Sequence, residues 1–247
     1  MKIIGRGLIA NSLFPYQYDM EDVTIFASGV ANSLTTETTA FDREYQLLYE
    51  TLKSSLKSNH RVVYFSSGGA VYGKTDEKRS EVTPLFPDTA YGRHKLLCEA
   101  IVRESTVPYL ILRLPNLVGA KQNKAQLLPA LVHQAKQGKV TLYTQAKRDI
   151  VDVADFAEIL IRLLKLSIVN ETIIIASGVS VSIQEIFAVI QEDLHLPTSI
   201  ETLQIGDQQI FTIDKLRRIL NDDLPFHQAY YKEVIRKYIR SINSFLP

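Results

Sequence analysis

Five short runs of apolar and β-branched residues, at 2–4, 23–27, 61–66, 109–114 and 172–176, alternate with stretches of helical spacing, and this alternation constrains the fold most. Their nearly continuous apolar character reads as strands covered on both faces. Between them Phe41, Tyr45, Leu48, Leu52 and Leu56 recur at helical intervals, and Leu96, Ala100 and Ile101 do so further on. Strand, helix, strand in succession implies an α/β fold with a parallel sheet and right-handed crossovers. After Asn116 the pattern becomes mostly helical, with helices expected at 127–137, 153–166 and 183–194. This tail reads as a cap over the carboxyl edge of the sheet.

Bulk properties exclude several functions. Of 247 residues, 46% are apolar and 22% charged, as expected for a soluble folded chain rather than a disordered or membrane-spanning one. A formal charge of +1 without a Lys/Arg cluster offers no footprint for nucleic acid or anionic lipid. Cys98 is the sole cysteine, which rules out an internal disulfide and suits a reducing, cytoplasmic setting. The N-terminus shows no signal peptide or spanning segment, so the protein is expected to stay where it is made. His60, His94, His133, His195 and His227 lack ligand spacing, so no metal is expected. His94 points off the face of its helix that carries Tyr91 and reads as a surface or interface residue. No repeat or linker divides the chain.

The first run ends in Gly5-Arg6-Gly7-Leu8-Ile9-Ala10, a G-x-G-x-x-A turn opening a helix. Small residues there let the backbone approach a pyrophosphate, which then meets helix amides; the plainer alternative is a tight strand-to-helix turn. Arg6 is placed to neutralise a phosphate, or to sit solvated on the surface. A dinucleotide fold normally offers an acid about 20 residues on for the adenosine ribose, and here that distance lands on Ala27. Only twelve residues, 11–22, separate the glycine helix from the next strand, too few for another strand-helix-strand passage. One half of the cofactor platform is therefore expected to be short.

A second constellation is Ser66-Ser67-Gly68-Gly69-Ala70-Val71-Tyr72-Gly73 after a strand, then Tyr91-Gly92-Arg93-His94-Lys95. Tyr91 and Lys95, four apart, share one helix face. An ammonium near a phenol favours the phenolate, so Lys95 is expected to poise Tyr91 for proton transfer. A hydroxyl at the preceding strand end would hold the substrate oxygen while hydride passes to or from a nicotinamide.

These residues resemble the extended short-chain dehydrogenase/reductase family, in particular its NAD-dependent sugar-nucleotide epimerases and dehydratases. The resemblance extends to Phe26-Ala27-Ser28-Gly29 beside the cofactor, to Leu112-Arg113-Leu114-Pro115-Asn116-x-x-Gly119, to the Arg148-Asp149 segment, and to Ala176-Ser177-Gly178 with Ser182-Ile183. It implies a truncated Rossmann-like parallel sheet with a small, mostly helical substrate-binding region: a cofactor core over 1–115 and 150–178 and a cap over 116–149 and 179–247. It implies Tyr91 and Lys95 as catalytic residues, and Ser67 is the candidate for the catalytic hydroxyl beside them. The cofactor, NAD or NADP, would lie on Gly5, Arg6, Gly7, Leu8, Ile9, Ala27, Ser28, Gly29, Ser66, Tyr91, Lys95, Leu114 and Pro115. A sugar nucleotide would face Gly68, Asn116 and Arg148. Without the resemblance, Asn116 would bond its own turn and Arg148 would pair with Asp149 or Asp152.

Three departures shape the expected activity. Gly68 occupies the position where these enzymes place a catalytic Ser or Thr, and Ser67 is the candidate substitute. Gly69-Ala70 stands where the dehydratases carry Asp-Glu, which disfavours dehydration and leaves ketosugar reduction or epimerisation through a ketone. The trimmed cofactor half favours an exchangeable cofactor, hence reduction; an SDR-like binding or regulatory protein without chemistry is the alternative. Leu47 and Tyr49 on the first long helix, and Leu97 and Val102 on the second, lie off their apolar stripes, and with the family habit of pairing through these helices imply a homodimer.

Overall fold

The computed structural model describes residues 1–75 and 77–243. Strands β1 (Lys2–Ile4), β2 (Val23–Phe26), β3 (Arg61–Ser67) and β4 (Tyr109–Leu114) form the central sheet together with β9 (Glu171–Ile174), in the order β1-β2-β3-β4-β9. All four pairings are parallel, with Ile3 opposite Ile25, Ile25 opposite Val63, Val63 opposite Leu110 and Leu112 opposite Ile173. The five expected strands are those of the sheet, shifted by at most two residues.

Alternation along each strand divides the core. Phe26, Val62, Tyr64 and Ile111 face α2 (Thr38–Lys57) and α3 (Ala90–Glu104), where Leu48, Leu52 and Val102 cover them. Ile25, Val63, Phe65 and Leu112 face the other way and pack with Phe156, Leu160 and Leu163 of α5 (Val153–Lys165). Leu48 and Leu52 are buried, each contributing about 1.5–3 kcal/mol of apolar transfer free energy. Helices on both faces of a parallel sheet are the α/β architecture expected from the alternation.

The first strand marks where the fold is cut short. Helix α1 (Leu8–Leu13) is followed by a 3-10 turn, Phe14–Tyr16, and the chain returns directly to β2. No strand among the described residues pairs with the outer side of β1, so β1 is the edge of the sheet.

Beyond Asn116 the chain is less purely helical than its pattern suggests. Helices α4 (Leu127–Lys136), α5 and α6 (Ile183–Leu194) stand where expected, and α7 (Asp214–Ile219) and α8 (Tyr230–Asn243) join them. Three two-stranded ribbons lie between: β5 (Asn116–Val118) with β8 (Ile150–Asp152), β6 (Lys139–Tyr143) with β11 (Ser199–Leu203), and β7 (Lys147–Arg148) with β10 (Val181–Ser182). Strands of two to five residues are too short to display a period, and only their pairing partners define them. A separate apolar cluster, including Leu128, Val140, Ile186 and Ile235, holds these elements together. Among the described residues no helix is long and apolar enough to cross a membrane.

Candidate active site

The carboxyl ends of β1 to β4 open into a cavity of about 530 Å³, lined by Gly7, Gly29, Ser67, Tyr91, Asn116 and Arg148 among others. That volume lies within the range of small-molecule sites. The two glycines of the first turn differ in role. Gly5 has φ +132°, and a Cβ there would run into the Ala27 carbonyl, so it permits β1 and β2 to approach. Gly7 lines the cavity, and a Cβ on it would meet nothing within 4 Å. Leu8, Ile9 and Ala27 line the cavity too, whereas Gly5, Arg6 and Ser28 do not. Ser28 instead takes hydrogen bonds from Arg43, through its Oγ at 3.4 Å and its carbonyl at 3.2 Å.

Helix α3 starts where Thr89 caps it, its hydroxyl accepting from the Gly92 amide at 3.0 Å. This start sets the helix phase that turns both Tyr91 and Lys95 into the cavity wall. The Lys95 Nζ lies 5.8 Å from the Tyr91 ring centroid. It donates to Glu44 Oε1 at 2.8 Å, to the Phe65 carbonyl at 3.2 Å and to the Tyr64 hydroxyl at 3.3 Å. Glu44, on α2, is buried, and also accepts from the Val30 amide at 2.6 Å and from Tyr64 at 3.0 Å. Gly29 roofs the pair: a Cβ on it would stand 2.7 Å from the Lys95 Nζ.

Glu44 changes the electrostatics expected for Tyr91. Burial alone would raise the Glu44 carboxyl, but the Lys95 ammonium and the hydrogen bonds from His94 and Val30 hold it well below the usual carboxylate range. Burial pushes the Tyr91 phenol above its ordinary value; Lys95 pulls it down, and Glu44 works against that pull. The net direction is upward, so the expected stabilisation of the phenolate by Lys95 is outweighed. Tyr91 is a protonated phenol at neutral pH, and no described residue hydrogen-bonds its hydroxyl.

At the end of β3, Ser66 and Ser67 line the cavity and Gly68 does not. The Ser67 Oγ accepts from the Ala70 amide at 3.1 Å, which leaves its own O–H to donate into the cavity. Gly68 donates its amide to the Leu114 carbonyl at 2.7 Å, and a Cβ there would lie 2.9 Å from that carbonyl and 3.1 Å from the Phe211 ring. Phe211 comes from the segment before α7, which bridges to Arg79. Leu114 and Pro115 line the wall beneath. Asn116 faces the cavity with its side-chain amide donating to the Asp149 carbonyl at 3.3 Å. Arg148 also lines it, paired with Asp207 rather than with Asp149 or Asp152: Nη2 reaches Asp207 Oδ1 at 2.8 Å and Nη1 its carbonyl at 2.8 Å.

Several residues here escape a reading of motifs alone. Glu44 stands three after Phe41 and four before Leu48, a carboxylate on the apolar stripe of α2, and that misfit was the available signal. Glu99, one turn beyond Lys95, grips Arg113 of β4 in a two-pronged pair at 3.0 and 2.8 Å, and the Arg113 Nη1 donates to the Tyr72 hydroxyl at 2.8 Å. This second buried pair locks α3 to the sheet. His94 is buried rather than exposed, because α2 covers that side of α3: its ring stacks on Phe41 at 4.6 Å, and its Nε2 lies 3.1 Å from Glu44 Oε2 and 3.6 Å from Cys98 Sγ. Glu44, His94 and Cys98 thus offer three metal-ligand atoms within 4.8 Å of one another, although the Glu44 charge is already balanced by Lys95. Val102 is buried in the chain's own core and Leu47 packs against it, so neither belongs to an outer apolar face.

A doubly covered parallel sheet with a Tyr-x-x-x-Lys helix and a glycine turn at its carboxyl edge defines the short-chain dehydrogenase/reductase class. Within it the chain belongs to the NAD dependent epimerase/dehydratase family, whose model matches residues 15–176. Among curated proteins it is similar to dTDP-4-dehydro-6-deoxyglucose reductase of Escherichia coli, 26% identical over 145 residues, which make up 55% of this chain and 46% of that protein. Among solved structures it resembles dTDP-glucose 4,6-dehydratase of Bacillus anthracis in complex with NAD, with TM-score 0.79, 18% identity, and coverage of 98% of this chain and 79% of that one. UDP-N-acetylglucosamine 4-epimerase of Methanobrevibacter ruminantium matches with TM-score 0.79, 20% identity, and coverage of 98% and 83%. The chain spans about half the length of the curated relatives it matches.

Proposed function

We propose that this chain is an NAD(P)-dependent reductase of a ketosugar carried on a nucleotide. The observation that carries this reading is Tyr91: a phenol at the cavity wall, beside a lysine whose charge Glu44 balances. A phenol can give its proton to a carbonyl oxygen, and among the described residues the sheet ends at β1, which suits a cofactor that exchanges after each turnover and so favours reduction over epimerisation. In the proposed step Tyr91 donates its hydroxyl proton to the ketone oxygen, and the Ser67 O–H holds the same oxygen. Lys95 stabilises the phenolate left behind. Held beside Tyr91, a reduced nicotinamide would supply the hydride for the carbonyl carbon. Asn116 and Arg148, which line the same cavity, orient the sugar and the diphosphate.

The residues present suit the nicotinamide and its ribose: open space at Gly7, the Gly29 turn over Lys95, and the Ser66, Leu114 and Pro115 wall. They offer nothing comparable for the adenosine, since no strand among the described residues lies beyond β1. We assign 1–115 and 150–178 to the cofactor core and 116–149 and 179–247 to the substrate cap. We also propose a homodimer through α2 and α3, supported by the exposed Tyr49, Leu56 and Leu97 on these helices. The single buried cysteine suits a cytoplasmic setting.

The test is oxidation of NADH or NADPH in the presence of a panel of 4-keto sugar nucleotides. Turnover is expected with at least one member and should fall by about 10²–10⁴-fold in Tyr91→Phe, with the fold retained. Interconversion of epimers without net cofactor oxidation would replace reduction by epimerisation. A second reading, a binding module without chemistry, is favoured by the crowding at Gly68, and it predicts equal inactivity of the parent and Tyr91→Phe.

A further inference from the structure

We propose that this chain recognises its cofactor through the nicotinamide mononucleotide half alone and leaves the adenosine in solvent. NADH, NADPH and reduced nicotinamide mononucleotide are then nearly equivalent ligands. The inference rests on the functional reading above, that a nicotinamide nucleotide occupies the cavity beside Tyr91.

A dinucleotide fold holds its ligand across a crevice where strand order reverses, with one mononucleotide unit on each side of the first strand. Among the described residues every neighbour of β1 lies on one side, in the order β1-β2-β3-β4-β9, with no reversal and no second unit. The nicotinamide side is complete: Ser66, Ser67, Tyr91, Lys95, Leu114 and Pro115 all line the cavity.

The segment standing in for the lost unit cannot substitute for it. Its carboxylates Asp19, Glu21 and Asp22 lie at the wrong end of the sheet. The backbone carbonyls of Gln17 and Met20 accept hydrogen bonds from the Met1 amino group, and Asp22 pairs with Arg61 at the start of β3. These contacts fix residues 17–22 at the amino ends of the strands, whereas ligands of such sheets bind at the carboxyl ends. None of these three acids is therefore available for the adenosine ribose. Of the two guanidiniums beside the turn, Arg43 is engaged with Ser28 and Arg6 is exposed and does not line the cavity, so neither is built into a 2′-phosphate site.

The test is titration of the whole chain with NADH, NADPH and reduced nicotinamide mononucleotide, followed by nucleotide fluorescence and calorimetry, with ADP as competitor. Dissociation constants within about threefold of one another, and no displacement of NADH by ADP in large excess, are the expected results. A preference of about tenfold or more for NADH over the mononucleotide, or between NADH and NADPH, overturns the inference. So does displacement by ADP, and in all these cases the functional reading still stands. If none of the three nucleotides binds, that reading falls and the inference falls with it.

Discussion

The Lys95 Nζ is 2.8 Å from Glu44 Oε1, an ion pair closed between α3 and α2 with both side chains buried. The lysine is thus neutralised by Glu44 while its Nζ stands 5.8 Å from the Tyr91 ring centroid. Tyr91 therefore feels much less than a full positive charge, and its proton is held until a substrate oxygen draws it away.

Replacing Glu44 by Gln leaves the Lys95 charge unopposed, and the Tyr91 phenol should then ionise at lower pH. The basic limb of the pH-rate profile is expected to move downward, and stability to drop by about 3–5 kcal/mol because a buried charge loses its partner. Rate profiles and urea unfolding measure the two effects. An unmoved basic limb in a folded variant would remove Glu44 from the electrostatics of the site.

Restoring a hydroxyl at position 68 should fail. A Cβ there meets the Leu114 carbonyl at 2.9 Å and Phe211 at 3.1 Å, so Gly68→Ser is expected to cost about 1–3 kcal/mol without raising turnover. Ser67→Ala, by contrast, should lower turnover by about 10²–10³-fold with little change in melting temperature. Faster turnover in Gly68→Ser would mean that Ser67 is not the hydroxyl in use.

Asp149 makes stability depend on pH in an unusual sense. It is fully buried, its oxygens accept from the Ser177 and Gly178 amides at 2.9 and 2.8 Å, and burial pushes its carboxyl up to about 7. Between the ordinary value of 3.8 and about 7 the folded chain holds a proton that the unfolded chain has released. Its contribution to stability therefore declines as pH rises through that window, by roughly 4 kcal/mol. Glu44 acts oppositely: its depressed carboxyl contributes stability above the ordinary value of 4.5, lost as pH falls below it. Chemical unfolding from pH 4 to 8 should show Asp149→Asn with a flatter profile than the parent; parallel profiles would contradict the assignment.

The proposed dimer predicts a molecular mass of two chains by light scattering. Leu97, 51% exposed on α3, is the position to alter: Leu97→Glu should give one chain with an unchanged circular dichroism spectrum. A parent that stays monomeric at high concentration argues against pairing through α2 and α3.

The α/β class, the five sheet strands, helices α4, α5 and α6 and the shared face of Tyr91 and Lys95 were legible in the sequence, because periodicity and helical spacing act over a few residues. The twelve-residue gap before β2 even announced the missing unit. What the sequence could not supply was which distant groups would meet. Glu44 lies 51 positions from Lys95 and Phe211 far beyond Gly68, and only packing of α2 on α3, and of the segment before α7 on the end of β3, brings them together. Ionisation follows burial and such neighbours, so the direction of the Tyr91 shift was settled by tertiary structure, against the expectation from Lys95 alone.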